Sequence, residues 1–288
     1  MPNPFEKWGV IYMSSTEQLE IYEILKINEL FDSQGWPKDE KNKSSLYKRY
    51  LNRYMKLDPA ERQLFIKLSN QYKWVSADEY LTSAVQLLEN VVRKHCTNAG
   101  QAVWIYPIKK NEDQRHIKSS DVVSYLCKSL PIQYSAILYK RKIHIISTLD
   151  DLIQKKDKIQ KSVLFLVDDF IGSGNYASSV VDELISNGIP EDKMVVCSLY
   201  ISEMGLKMLQ TRKCSLEFLN VAPSCISELS TSEQELILQM ESSLNVDDEF
   251  SLGYGQSANL ISLLRTPNNS LPVFWLDKGR THSAPFPR

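Results

Sequence analysis

The chain has 288 residues, 43% of them hydrophobic and 24% charged, with 34 Lys and Arg set against 35 Asp and Glu for a net charge of −1. This is the composition of a globular protein with ample core, and no apolar run approaches the roughly 18 residues of a membrane span. Five cysteines without a C-x-x-C pair and only four histidines speak against a disulfide framework and a zinc site. The N-terminus lacks the basic-then-apolar order of a signal peptide. The expectation is a reduced, cytoplasmic protein with no membrane contact.

The first 95 residues read as helix. Ser15-Thr-Glu-Gln18 is a capping-box pattern ahead of Leu19, Tyr22, Leu25 and Glu29, and Gly35-Trp36-Pro37 then breaks the chain. A second helix, from about Ser45 to Met55, lies within a basic block: Lys38 to Lys56 holds seven Lys or Arg and two acids. Tyr47, Tyr50, Leu51 and Tyr54 share one face of that helix at spacings of three and four, which predicts a tyrosine-rich core face with a solvated basic back. Lys48, Arg49 and Arg53 lie off that stripe and are the candidate contacts for a protein or nucleic-acid partner. Asp58-Pro59-Ala60-Glu61 and Ser76-Ala-Asp-Glu79 open a third and a fourth helix.

From Ala102 strands alternate with helices. Strands are predicted at 102–108, 135–139, 143–146, 163–166, 194–201 and 216–221. Helices are predicted from Ser119, Leu149, Tyr176, Glu203 and about Ser232. This alternation predicts an α/β fold with a doubly wound parallel sheet, in which ligands bind beyond the carboxyl ends of the strands. The division expected is a helical N-terminal domain over 1–95, an α/β core over 96–230 and a C-terminal extension over 231–288. Cys214 to Leu264 contains eight acids and no Lys, Arg or His, the counterpart of the basic block.

The most informative stretch is Val167-Asp-Asp-Phe-Ile-Gly-Ser-Gly-Asn175. A continuous apolar run before it reads as a strand buried on both faces. Two acids at its exit, a Gly-Ser-Gly turn and a helix start combine a phosphate cradle with a carboxylate pair. The turn and the helix N-terminus present backbone N–H groups to an anion, and the carboxylates suit sugar hydroxyls or Mg²⁺. Gly172 to Ala177 also satisfies a relaxed G-x-G-x-x-A dinucleotide pattern, but the next strand ends without the ribose-binding acid. A Walker B reading fails because no G-x-x-x-x-G-K-[S/T] occurs. An ordinary acidic strand–turn–helix is the remaining alternative.

These residues resemble the signature of the type I phosphoribosyltransferases. The resemblance implies that Asp168 and Asp169 are catalytic acids facing ribose hydroxyls and Mg²⁺. It implies too that Gly172, Ser173, Gly174, Asn175 and Tyr176 form the loop around the 5′-phosphate of phosphoribosyl pyrophosphate or a nucleotide. Gly172 stands where that family has Thr or an Asp general base, and Tyr176 where Thr or Ser is usual. Lys109-Lys110 and Tyr139-Lys140-Arg141-Lys142 are candidates for a pyrophosphate loop, and otherwise read as turn lysines.

The closing segment sharpens the likeness. Gly253-Tyr-Gly255, Thr266-Pro-Asn-Asn269, Leu271-Pro272 and Trp275 resemble the divergent phosphoribosyltransferase-like proteins of bacterial conflict and antiphage loci, some beside retron reverse transcriptases. That likeness implies a phosphoribosyltransferase-type core with a hood-like C-terminal extension, and a Mg²⁺-dependent toxin-like effector in antiviral defence. The alternative is a non-catalytic nucleotide-sensing or docking subunit of a defence complex.

Overall fold

Residues 164–167 and 194–201 are almost all apolar, and each run is buried as the centre of a parallel sheet must be. The structure, a computed structural model, describes residues 21–98, 100–277 and 283–288. The capping-box pattern at Ser15–Gln18 lies outside the described residues.

In chain order the helices are α1 (Ile21–Gln34), α2 (Leu46–Tyr54), α3 (Pro59–Gln71), α4 (Ala77–His95), α5 (Ser119–Leu126), α6 (Leu130–Tyr134), α7 (Leu149–Gln154), α8 (Lys156–Gln160), α9 (Asn175–Ser186), α10 (Glu203–Leu209), α11 (Thr231–Ser243) and α12 (Pro272–Trp275). The strands are β1 (Lys73–Trp74), β2 (Val103–Pro107), β3 (Ile143–Ile145), β4 (Leu164–Ile171), β5 (Met194–Ser202), β6 (Ser215–Ala222) and β7 (Ile261–Ser262). Their starts follow local chemistry. Ser45 and Ser76 cap α2 and α4, Asp58 and Glu61 close a capping box at α3, and Ser230 with Glu233 does the same at α11.

The fold is mixed α/β around a five-stranded parallel sheet of order β3-β2-β4-β5-β6. On one face α4 and α5 bury Tyr80, Leu88 and Val123 against Ile105, Phe165, Val167 and Cys197. On the other, α7, α8 and α9 bury Leu152, Ile159, Val180 and Leu184 against Leu166, Met194 and Val196. The strand order reverses between β2 and β4, and open α/β sheets bind ligands above the carboxyl ends of strands at such a reversal. Among the described residues no helix is long and apolar enough to cross a membrane.

A second core joins the two ends of the chain. Helices α1–α3 pack with Leu229, Ile237, Met240, Leu271, Phe274 and Phe286. Its centre is a run of rings: Tyr50 stacks on Phe65 at 4.9 Å, Phe65 on Phe274 at 5.0 Å, and Tyr72 on Phe286 at 4.6 Å. Strand β1 pairs in parallel with β7, adding backbone hydrogen bonds to the same junction. Helix α4 belongs instead to the core of the sheet.

Two sequence expectations need correction. Residues 135–139 are not a strand: the Ser135 hydroxyl accepts from the backbone N–H of Ile137 and Leu138, holding a turn that competes with extension. The partner surface proposed through Lys48, Arg49 and Arg53 is largely consumed within the chain. Tyr47, Tyr50, Leu51 and Tyr54 are buried as the spacing predicts, but so is Arg53. Its Nε donates to the carbonyl of Ser283 at 3.1 Å and its Nη2 to that of Leu276, and burial pulls its pKa down to about 10 against the opposing pull of Asp277. Arg49 pairs with Asp277 at 3.2 Å.

Arg53 is thus the polar anchor of the C-terminal segment. Arg53→Ala should lower stability by about 2–4 kcal/mol in urea unfolding, and Arg53→Lys should recover little, because an ammonium cannot reproduce the planar fork. An unchanged unfolding midpoint in Arg53→Ala would remove the anchor.

Candidate active site

Strand β4 carries its pattern past the apolar run to Asp168 and Asp169, which lie at the carboxyl end of the central pair β4–β5. Asp169 is buried and Asp168 partly so. One Asp168 oxygen accepts the Asp169 backbone N–H at 2.9 Å and the Ser119 hydroxyl at 3.1 Å. Ser119 opens α5, so the helix that covers the sheet also orients the first acid. Among the described residues neither acid has an ion-pair partner. Burial and, after it, the charge of Asp169 push the Asp168 carboxyl well above the ordinary carboxylate range.

Two buried hydroxyls stand beside the pair. Tyr80 of α4 is buried with its hydroxyl toward Asp169. Burial, then the charges of Asp169 and Asp168, raise its pKa, so the phenol keeps its proton. Ser198 is in register with Asp168 on β5 and fully buried, and its hydroxyl has no hydrogen-bond partner among the described residues. Buried polar groups normally have partners, so the Ser198 hydroxyl marks a place that a polar ligand completes. Two uncompensated carboxylates among hydroxyls are a hard-oxygen set that fits Mg²⁺, an ion often held by one or two carboxylates together with substrate oxygens. Among the described residues no group of three His, Cys, Asp or Glu could hold a metal on its own.

The loop after β4 is fixed from below and above. Gly174 has φ of 81° and is the N-cap of α9, so the cap position itself offers no side chain to the first turn, and the Asn175 backbone N–H makes a long 3.4 Å hydrogen bond to the Ser173 hydroxyl. Ser173 and Asn175 sit at this helix start, Asn175 exposed. The Gly172 carbonyl accepts the Ser202 hydroxyl at 2.6 Å and lies against Gly205, whose Cβ, if present, would meet that oxygen at 2.4 Å. Above Gly172 the amide of Asn269 comes so close that a Cβ would lie 2.1 Å from its Oδ1. This accounts for the glycine: the place of a side chain at 172 is filled by a residue nearly a hundred positions away.

Tyr176 does different work from the other loop residues. Its hydroxyl accepts from the Lys110 backbone N–H at 3.1 Å and from Lys118 Nζ at 2.6 Å, and donates to Asp113. Lys118 Nζ also lies 4.0 Å from the centre of its ring and 2.7 Å from Asp113. Against the cost of partial burial, the hydrogen bonds from Lys118 and Tyr176 hold the Asp113 carboxyl below its usual range. The phenol therefore ties the loop after β2 to the start of α9, leaving only the Tyr176 backbone N–H for a ligand. Lys109 is buried and pairs with Asp121 at 2.8 Å. The sequence placed Lys109 and Lys110 as candidates for an anion loop, and both lie beside the acids' end of the sheet. Tyr139 to Lys142 lead into the edge strand β3 at the amino ends of the strands, the end of the sheet opposite the acids, which removes them as a pyrophosphate loop.

What the sequence did not disclose is the backbone of the C-terminal segment that brings Asn269 against Gly172. Leu252, Gly253, Gly255, Gln256 and Ala258 all have positive φ. Each of the three without glycine's freedom costs about 1 kcal/mol or more. The buried Glu241 holds the start of this run, accepting from the Leu252 backbone N–H at 3.0 Å and the Ser251 hydroxyl at 2.9 Å. Asn269 Nδ2 in turn donates to the Tyr254 carbonyl and the Ser257 hydroxyl, both at 3.1 Å. The two glycines at 253 and 255 were the one sequence signal of this strained segment.

The family model PRTase-CE matches residues 47–288, most of the chain. The chain belongs to the PRTase-CE family. It is a phosphoribosyltransferase-like protein. No curated protein matches it. Among solved structures it is similar to the Helicobacter pylori xanthine-guanine-hypoxanthine phosphoribosyltransferase at 15% identity and a TM-score of 0.31, over 52% of this chain and 86% of that one. It is also similar to the hypoxanthine-guanine phosphoribosyltransferase of Schistosoma mansoni, solved in complex with IMP, at 15% identity and a TM-score of 0.31, over 53% of this chain and 70% of that one.

The raised pKa of Asp168 has a consequence for stability. Folding holds its proton more tightly than the unfolded chain does, so the folded state loses stability as pH rises from the ordinary carboxylate range through the raised value. Asp168→Asn should therefore have a higher Tm than the parent at neutral pH, with the difference shrinking as pH falls toward 4. A lower Tm at neutral pH would contradict an uncompensated acid pair.

Proposed function

We propose that this PRTase-CE protein binds phosphoribosyl pyrophosphate or a nucleotide with Mg²⁺ and catalyses transfer or hydrolysis at ribose C1. The observation that carries this reading is the pair Asp168 and Asp169, without ion-pair partners among the described residues, set at one strand end beside the glycine-capped first turn of α9. Such a helix start attracts a phosphate, and paired acids attract hydroxyls and a cation. The 5′-phosphate is assigned to the backbone N–H groups and hydroxyl of Gly172–Tyr176, and the ribose hydroxyls to Asp168 and Asp169. Mg²⁺ held between the acids and the substrate would supply positive charge against a departing pyrophosphate. Lys110 and Lys118, paired with Glu112 and Asp113, lie on the side of β2, where the leaving group would separate, and would have to exchange those partners to stabilise it. The segment around Tyr254 and Asn269 is assigned as the hood over the site.

The resemblance of the C-terminal motifs to proteins of bacterial conflict loci supports a role as an effector in antiphage defence. A second reading, a nucleotide sensor without chemistry, is favoured by one observation: Asn269 occupies the space of a side chain at Gly172, so the loop offers no general base.

Calorimetry with phosphoribosyl pyrophosphate, with and without Mg²⁺, followed by chromatography of the products, separates the readings. The expected result is Mg²⁺-dependent binding with release of pyrophosphate or base. Ser173→Ala should weaken binding by about 0.5–1.5 kcal/mol, whereas Asp168→Asn with Asp169→Asn should abolish turnover while preserving the fold. Binding without turnover would establish the sensor. Full turnover in the double variant would overturn the assignment of the acids.

A further inference from the structure

The stretch from Tyr125 to Lys161 contains eight Lys or Arg and three acids, all three of them aspartates. It includes β3, the edge strand of the sheet. Lysines around the candidate site are neutralised, as Lys109 is by Asp121 and Lys118 by Asp113. Along this edge they are not. Lys155 has a long contact of 3.7 Å with Asp151, while Lys128, Lys142 and Lys158 are exposed and have no ion-pair partner among the described residues.

These lysines come from separate elements and converge. Lys128 follows α5, Lys142 precedes β3, Lys155 joins α7 to α8, and Lys158 lies in α8. After burial, the charges of these four hold the exposed His144 of β3 below its ordinary pKa. Packing of the His144 ring on Trp104 at 4.4 Å fixes the edge they surround. The same stretch exposes three aromatic rings, Tyr125 at 76%, Tyr134 at 79% and Tyr139 at 51%, with Lys140 lying over the ring of Tyr139. A lone exposed ring or an unpaired surface lysine is ordinary; the convergence of four lysines on one edge residue, in a stretch that also exposes three rings, is what sets this edge apart.

We propose that this edge binds single-stranded nucleic acid, its phosphates held by Lys128, Lys142 and Lys158 and its unpaired bases stacked on Tyr134 and Tyr139. Convergent positive charge without counter-ions complements a polyanion, and exposed rings among lysines complement bases with free faces. A duplex would offer the lysines its phosphates but would keep its bases from the tyrosines. The surface involves none of the acids or loop residues of the phosphoribosyl site, so it stands or falls independently of that assignment.

Fluorescence anisotropy of the full chain with labelled oligo(dT) and oligo(rU) of roughly 20 nucleotides, against a duplex of equal length, tests this. Single strands should bind and lose at least about tenfold in affinity between about 50 and about 200 mM salt. Lys128→Glu, Lys142→Glu and Lys158→Glu together should weaken binding at least about tenfold and flatten the salt dependence. Tyr134→Ala with Tyr139→Ala should weaken it about fivefold or more and leave the salt slope unchanged. A preference between the two oligonucleotides would identify DNA or RNA as the ligand. Three results would overturn the proposal: no binding at the lower salt, equal affinity for duplex with indifference to the tyrosine changes, or equal competition by polyglutamate. Circular dichroism of the variants, all at exposed positions, guards against misfolding.

Discussion

The stack of rings that joins the two ends of the chain is the constraint on which the candidate site depends. Tyr50, Phe65, Phe274, Tyr72 and Phe286 lock α2 and α3 to the C-terminal segment, and Arg53 ties down the carbonyls of Leu276 and Ser283. With that segment held, Asn269 reaches Gly172 and the run of positive φ from Leu252 to Ala258 is kept in place. Strain of this kind persists only where surrounding contacts over-determine it. Here these contacts are the buried Glu241 carboxylate on one side and the Asn269 amide on the other. The candidate site thus draws on two cores, the sheet supplying acids and helix dipole, the terminal core holding the segment that sets Asn269 against Gly172.

Charge is distributed with a corresponding logic. Cations near the acids are matched with Asp113 and Asp121, so the carboxylates of β4 are left without compensation and their repulsion is stored in the folded state. A cation or a set of ligand hydroxyls would relieve it. Arg49 and Arg53, the most basic-looking part of the sequence, are spent on structure, while the lysines at the β3 edge remain unpaired. Density of charge along the chain therefore says little about where charge is available; partners in space decide it.

Local chemistry made the sheet and its loop legible in the sequence. The apolar run of β4, the two acids, the glycine with positive φ and the helix start are contiguous, and each is dictated by neighbours within a few residues. The caps of α2, α3 and α4 are local for the same reason. What escaped prediction required contacts across most of the chain. Arg53 lies at the margin of a buried stripe, and only carbonyls more than two hundred residues away decide that it goes inside. Gly172 reads as a missing side chain until Asn269 is seen in its place. The turn at Ser135 failed for a nearer reason: a run rich in Ile, Leu and Tyr suggests extension, but one hydroxyl accepting two N–H groups wins.

The terminal core also bears on how the molecule comes into being. During synthesis α1–α3 emerge well before the partners that bury their rings, which run from Cys225 to Phe286. The strands of the sheet pair between neighbours in sequence and can assemble earlier, so the nascent chain passes through a stage with the acids in place and Asn269 absent. A chain cut short before Asn269 keeps a sheet but leaves an aromatic face in water, a target for chaperones and proteases. Emergence of the segment that carries Asn269, rather than formation of the sheet, is the event that brings this contact to the loop.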